Sequence, residues 1–156
     1  MNQCQRAIEC MSAASSAAEA GLVGGAVEQA TSPPFPLLLV VDDDDVFRAF
    51  LAGAMRRRGY AVVAAASVGE ALALVERSAP QLALLDLDLR DGCGLEIVPL
   101  LRRFSADVGI VVLTGRIDAA RIVAAARVGK VGLLAKPVDV DEIEAALLTQ
   151  GPVASS

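Results

Sequence analysis

QLALLDLDLRDGCG, residues 81–94, is the stretch whose reading decides the fold. Its apolar run, Leu82–Leu85, ends abruptly in Asp86. A buried strand that delivers a carboxylate at its C-terminal end builds a site on an open α/β sheet, because ligands collect outside the carboxyl ends of parallel strands. Gly92 and Gly94 then turn the chain away from the sheet.

Upstream, Leu37–Val41 is an unbroken aliphatic run and reads as a buried strand that stops at Asp42-Asp43-Asp44-Asp45. Val46, Phe47, Phe50, Leu51, Ala54 and Met55 then share one helical face, with Arg56–Arg58 in the last turn and Gly59 past it. Ala61–Ala65 is a second strand. Ser67 with Glu70 reads as a capping box opening a helix to about Arg77. Downstream, Leu95–Phe104 is a helix that tolerates Pro99 only in its first turn or with a distortion there. Gly109–Leu113 is a fourth strand, ending in Thr114-Gly115, and Asp118 caps a helix to about Val128. Leu133–Ala135 is a fifth strand ending in Lys136-Pro137, and Asp139 with Glu142 opens a last helix that ends near Gly151. Strand and helix alternate five times, which predicts an α/β fold: a doubly wound parallel sheet with right-handed crossovers. Residues 37–150 form this domain. Residues 1–36 read as a disordered Ala/Ser-rich extension with a Pro-rich linker, and 151–156 as a loose tail.

Composition narrows the function. Aromatics are 3% and Trp is absent, so the core is built from Ala, Val and Leu. A formal charge of −5 gives no help in binding a polyanion, so direct nucleic-acid binding is not expected. No window of about 18 apolar residues lacks a charge, so no membrane span is expected, and a cytoplasmic location is the default. Three cysteines, Cys4, Cys10 and Cys93, lack metal or framework spacing and read as reduced thiols. There is no His, so any metal must be held by oxygen, which favours Mg²⁺, Mn²⁺ or Ca²⁺.

Four of the five strands end in a reactive group: Asp42 and Asp43, Asp86, Thr114, and Lys136. In a parallel sheet those ends share one edge. Three carboxylates in one place repel and stay ionised together only around a cation. Lys136 supplies one positive charge, and Mg²⁺ suits a few carboxylate oxygens plus water. The set fits phosphoryl transfer. Asp86 is the nucleophile, Asp43 (and Asp42 through water) holds Mg²⁺, and Thr114 and Lys136 each meet a phosphoryl oxygen.

On Val40-Val41-Asp42-Asp43, Leu85-Asp86 with Asp91-Gly92, residues 111–115 (VVLTG) and Ala135-Lys136-Pro137, the chain resembles the receiver domains of two-component response regulators, over about Leu37–Leu148. Residues 38–44, 66–68, 86–92 and 110–115 make it look most like receivers of the redox-responsive RegA/PrrA/ActR type. The resemblance implies a flavodoxin-like (βα)5 sheet in the order 2-1-3-4-5. It also implies phosphorylation of Asp86 by a sensor histidine kinase and a third Mg²⁺ ligand in the Asp88 main-chain carbonyl. A cis Lys136-Pro137 peptide is implied too, as is a move of Thr114 that shifts the face made by the last two strands and helices. The output protein is unknown, and a homodimer formed on phosphorylation is allowed for.

Two positions depart from the pattern. Leu133 stands where the family carries Tyr or Phe, which puts the aromatic half of the switch in doubt, and Lys130 stands where it carries Ala. Regulators of the RegA kind continue into a helix-turn-helix domain; this chain reads as a stand-alone receiver or a truncated regulator. Three rival readings are weighed. Asp86-Leu87-Asp88 resembles the nucleophile motif of haloacid-dehalogenase-type phosphatases, but those place the acidic pair after the lysine and the nucleophile on the first strand. Asp86, Asp88 and Asp91 loosely resemble an EF-hand, but the required Gly is Asp91 and the closing Glu is Ile97. A degenerate receiver that binds partners without phosphate is the third. Asp44 and Asp45 are expected to be merely solvated, and the Asp88 side chain to repel or orient attacking water.

Overall fold

A computed structural model of the chain describes residues 36–150. The readings of residues 1–35 and 151–156 fall outside them. The alternation holds through the described residues: β1 (Leu37–Val41), α1 (Asp45–Arg57), β2 (Ala61–Ala65), α2 (Val68–Ser78), β3 (Leu82–Asp86), α3 (Val98–Phe104), β4 (Gly109–Thr114), α4 (Ala119–Arg127), β5 (Gly132–Ala135) and α5 (Val140–Gln150). The five strands form one sheet in the order β2-β1-β3-β4-β5, and every neighbouring pair is parallel. The centre of the sheet is β3, paired with β1 (Leu38 opposite Leu82) and with β4 (Asp86 opposite Leu113).

Successive side chains of a strand point to opposite faces. On β1, Leu38 and Val40 pack under α1 and α5 with Leu51, Met55, Ile143 and Leu147. Leu39 and Val41 face the other layer with Ala71, Val75, Leu101 and Ala124. Both faces are therefore dry, which is why these strands read as unbroken apolar runs rather than as alternating ones. Each buried Val or Leu contributes about 1.5–3 kcal/mol, so the two layers are the main source of stability.

Helix ends follow local rules with some corrections. Asp44, expected to be only solvated, is the N-cap of α1 and accepts from the Val46 and Phe47 amides at 3.0 Å each. Asp45, expected likewise, pairs with Arg48 at 2.7 Å. Val46 and Phe50, expected on the buried face, are 80% and 53% exposed. At 100° per residue the six apolar positions span half a turn, wider than the sheet covers, and these two lie on its flank. Pro99 divides its segment: Gly94–Ile97 is a 3-10 turn and the α-helix begins at Val98, with the proline in its first turn. Ser67 caps α2 as read, but Glu70 reaches back one residue further, to the Ala66 amide. Asp139 and Glu142 form the full reciprocal box of α5. Leu133, in place of the aromatic, is half-buried and packs against the α2–α3 layer.

After Asp86 the chain makes a short antiparallel hairpin, Asp88–Leu89 with Gly92–Cys93. Gly94 closes it by donating to the Leu87 carbonyl, and a Cβ there would collide with the Asp86 carbonyl. Cys93 is disulfide-bonded, which overturns its reading as a reduced thiol; Cys4 and Cys10 lie outside the described residues.

Candidate functional site

The C-terminal ends of β1, β3 and β5 bring their residues together. Carboxylate oxygens of Asp42, Asp43 and Asp86 all lie within 4.8 Å of one another. Lys136 Nζ donates to Asp42 Oδ2 at 2.9 Å and to Asp86 Oδ2 at 3.3 Å. Asp42 and Asp86 are buried, 1% and 5% exposed. An unpaired buried carboxylate costs several kcal/mol, on the order of a group left without partners in an apolar medium, so the lysine between the two is the local compensation. Asp42 also accepts from the Asp44 amide at 2.8 Å, and Asp86 from the Asp88 amide at 3.1 Å.

The electrostatics agree with this packing. Burial pushes the Asp86 carboxyl from an ordinary 3.8 up to about 6; the Asp88 amide and Lys136 pull it back, and the Asp42 charge pushes it further. Burial works to lower the Lys136 ammonium, but its contacts with Asp42 and Asp86 outweigh that and hold it above the ordinary lysine value. Oxygen donors at this spacing form a hard-ligand set, and they fit a small divalent cation better than a soft metal.

Thr114 ends β4, one residue past the partner of Asp86, and is fully buried. Its hydroxyl donates to the Arg116 carbonyl at 2.8 Å and accepts the Arg116 amide at 3.2 Å. It therefore sits on the same edge but is tied to its own loop. Asp88 opens the hairpin, half-exposed, with its side chain held by Arg121 of α4 at 2.7 Å. The peptide between Lys136 and Pro137 is cis.

Sequence reasoning missed three neighbours of the site. The Phe47 ring lies 4.7 Å from Lys136 Nζ, a cation–π contact that fixes the lysine from the α1 side. It was legible only as an apolar helix position. Asp91 accepts from the Val68 and Gly69 amides at 2.9 and 3.2 Å, tying the loop after Asp86 to the start of α2. Those amides hold its carboxyl below the usual range. Arg121 pairs with Asp118 three residues before it, which spacing alone suggests, and with Asp88, which it does not.

Residues 38–148 match the sequence profile of the response regulator receiver domain. The photosynthetic apparatus regulatory protein RegA of Cereibacter sphaeroides is 45% identical over 101 residues, covering 65% of this chain and 55% of that protein. The acid tolerance regulatory protein ActR of Rhizobium meliloti is 42% identical over 132 residues, covering 85% of this chain and 63% of that protein. This chain thus spans under two thirds of either relative's length. Among solved structures, a response regulator protein from Burkholderia pseudomallei with a phosphorylated aspartic acid, a calcium ion and citrate is 39% identical with a TM-score of 0.67, covering 72% of this chain and 66% of that one. A CheY-like receiver domain protein from Methanospirillum hungatei is 28% identical with a TM-score of 0.67, covering 74% and 96%. With its flavodoxin-like sheet, its edge of three aspartates and a lysine, and a family match over most of its length, this chain belongs to the response regulator receiver domains.

Proposed function

We propose that the chain is the phosphoacceptor of a two-component relay, with Asp86 taking a phosphoryl group from a sensor histidine kinase. One observation carries this reading: Asp86 ends the central strand, buried, beside Lys136 and two further carboxylates on the same edge. A carboxylate oxygen of Asp86 attacks phosphorus, the P–N bond of the donor phosphohistidine breaks, and its electron pair stays on the imidazole nitrogen. Water later attacks the acyl phosphate, releasing inorganic phosphate and restoring the carboxylate. Lys136 leaves Asp86 Oδ2 to hold a phosphoryl oxygen, and Thr114 exchanges the Arg116 carbonyl for another. Asp42, Asp43, Asp86 and the Asp88 main-chain carbonyl would hold Mg²⁺, which supplies charge neutralisation to the transferring group. Catalysis by the chain is limited to its own transfer and hydrolysis, it works in the cytoplasm, and it acts on an output protein or a second copy of itself after phosphorylation.

A second reading, an interaction module that needs no phosphate, is favoured by Leu133 in the place of the switch aromatic. Incubation with acetyl phosphate and Mg²⁺ separates the two. Wild type should take up label and Asp86→Ala should not. An unlabelled wild type leaves the module, and steady turnover of a phosphate ester would instead favour a phosphatase.

A further inference from the structure

Asp88 is gripped from two sides. Its amide donates to Asp86 Oδ1, the carboxylate proposed as acceptor, and its side chain takes Arg121 Nη2 at 2.7 Å. Arg121 belongs to the first turn of α4, and its own amide is capped by Asp118. Its other terminal nitrogen meets Asp118 Oδ2 at 3.0 Å, an oxygen that Arg116 also approaches at 3.6 Å. Asp88 is thus the one carboxylate that Arg121 reaches outside its own helix. The guanidinium is only 14% exposed, and its Nε is buried without a hydrogen-bond partner. A buried donor left unmet needs a reason. Here the cause is geometric: the two carboxylates take the fork of the guanidinium and leave its third face without an acceptor.

We propose that Arg121 is a latch between α4 and the acceptor loop, closed in the unphosphorylated protein and opened when a phosphoryl group is placed on Asp86. This rests on the phosphoacceptor reading of Asp86. Esterification takes the full negative charge off the Asp86 carboxylate, so the Asp88 amide loses its anionic acceptor. The acyl phosphate carries more negative charge than the carboxylate it replaces and adds three acceptor oxygens, which repel the Asp88 side chain. Both hands on Asp88 therefore weaken together. The ion pair spans 33 residues of sequence and is a link from the acceptor loop to the first turn of α4 that involves neither Thr114 nor Leu133. It lets the face of α4 respond although the usual aromatic is absent.

The test is amide hydrogen exchange over residues 116–127, with thermal melts confirming that each variant folds. In unphosphorylated protein, Arg121→Gln and Asp88→Asn should each speed exchange about two- to fivefold, as expected for one half-exposed ion pair. Asp88→Asn leaves the sequence of α4 untouched, so lost helix propensity is not read as release. The double variant should be no faster than the faster single, because both break one contact. Acetyl phosphate with Mg²⁺ should produce the same acceleration in wild type and none beyond it in Arg121→Gln. Unchanged exchange in Arg121→Gln, or additive effects of the two substitutions, overturns the latch. Unchanged exchange in a wild type that does take label overturns its opening alone. A wild type that takes no label overturns the phosphoacceptor reading and the opening with it, while the first two arms still judge the closed state.

Discussion

Asp86 is buried, yet it has to work as an anion. Its folded carboxyl titrates at about 6, above the ordinary 3.8, so the folded chain holds a proton there that the unfolded chain has lost. The contribution of this group to stability therefore falls as pH rises from about 4 to about 6, and above that the ionised group costs about 1–3 kcal/mol without metal. Asp86→Asn removes the penalty. Measured by urea unfolding without divalent ions, its gain over wild type should be largest above about pH 7 and shrink as pH falls toward about 4. A gain that stays constant across that range would show that Asp86 is not held out of water. Asp91 runs the other way: amides of α2 lower its carboxyl, and that stabilisation is lost as pH falls below the ordinary carboxylate range. At this scale the sequence was most legible where a reactive residue follows an apolar run, as Asp42, Asp86 and Lys136 do. It was least legible for Phe47 and Arg121, whose partners lie on other elements and obey no local spacing.

The helices draw attention to caps. Asp44 joins the first turn of α1 to the end of β1, and the same turn carries Phe47 over Lys136. Asp44→Ala should lower the stability of the chain by about 1 kcal/mol in thermal or urea unfolding. An unchanged midpoint would return Asp44 to the merely solvated role its run of four aspartates suggests. Elements with a full period were readable from the sequence: every strand of the sheet and every helix lies within a few residues of its expected bounds. The hairpin after Asp86 was not, because two-residue arms carry no alternation, and Gly92 and Gly94 signal only that the chain turns. The 3-10 turn before α3 was half legible: Pro99 announced a distortion without saying which kind. The flank of α1 was misread because periodicity tells which residues share a face and not how much of that face the sheet covers.

At the scale of the whole molecule, five parallel strands place side chains from three distant segments on one edge, and the parallel layout was readable from alternation alone. Strand order was not; it came through family likeness, since local pattern does not say which strands are neighbours. The three carboxylates at that edge should make the fold responsive to magnesium. At a concentration a hundred times its dissociation constant the ion stabilises by about 2.7 kcal/mol, a rise of several degrees in melting temperature. Asp43→Asn should lose most of that rise while melting no lower than wild type without metal. Equal rises in both would mean that the ion binds elsewhere. Lys136 meets Asp42 across 94 residues of chain, and this spacing bears on biosynthesis. A nascent polypeptide that has reached α4 already displays both acidic partners with no ammonium to reconcile them. Competence to be charged with phosphate therefore arrives in one step, when the last strand docks, and half-made copies on the ribosome stay silent to the signal.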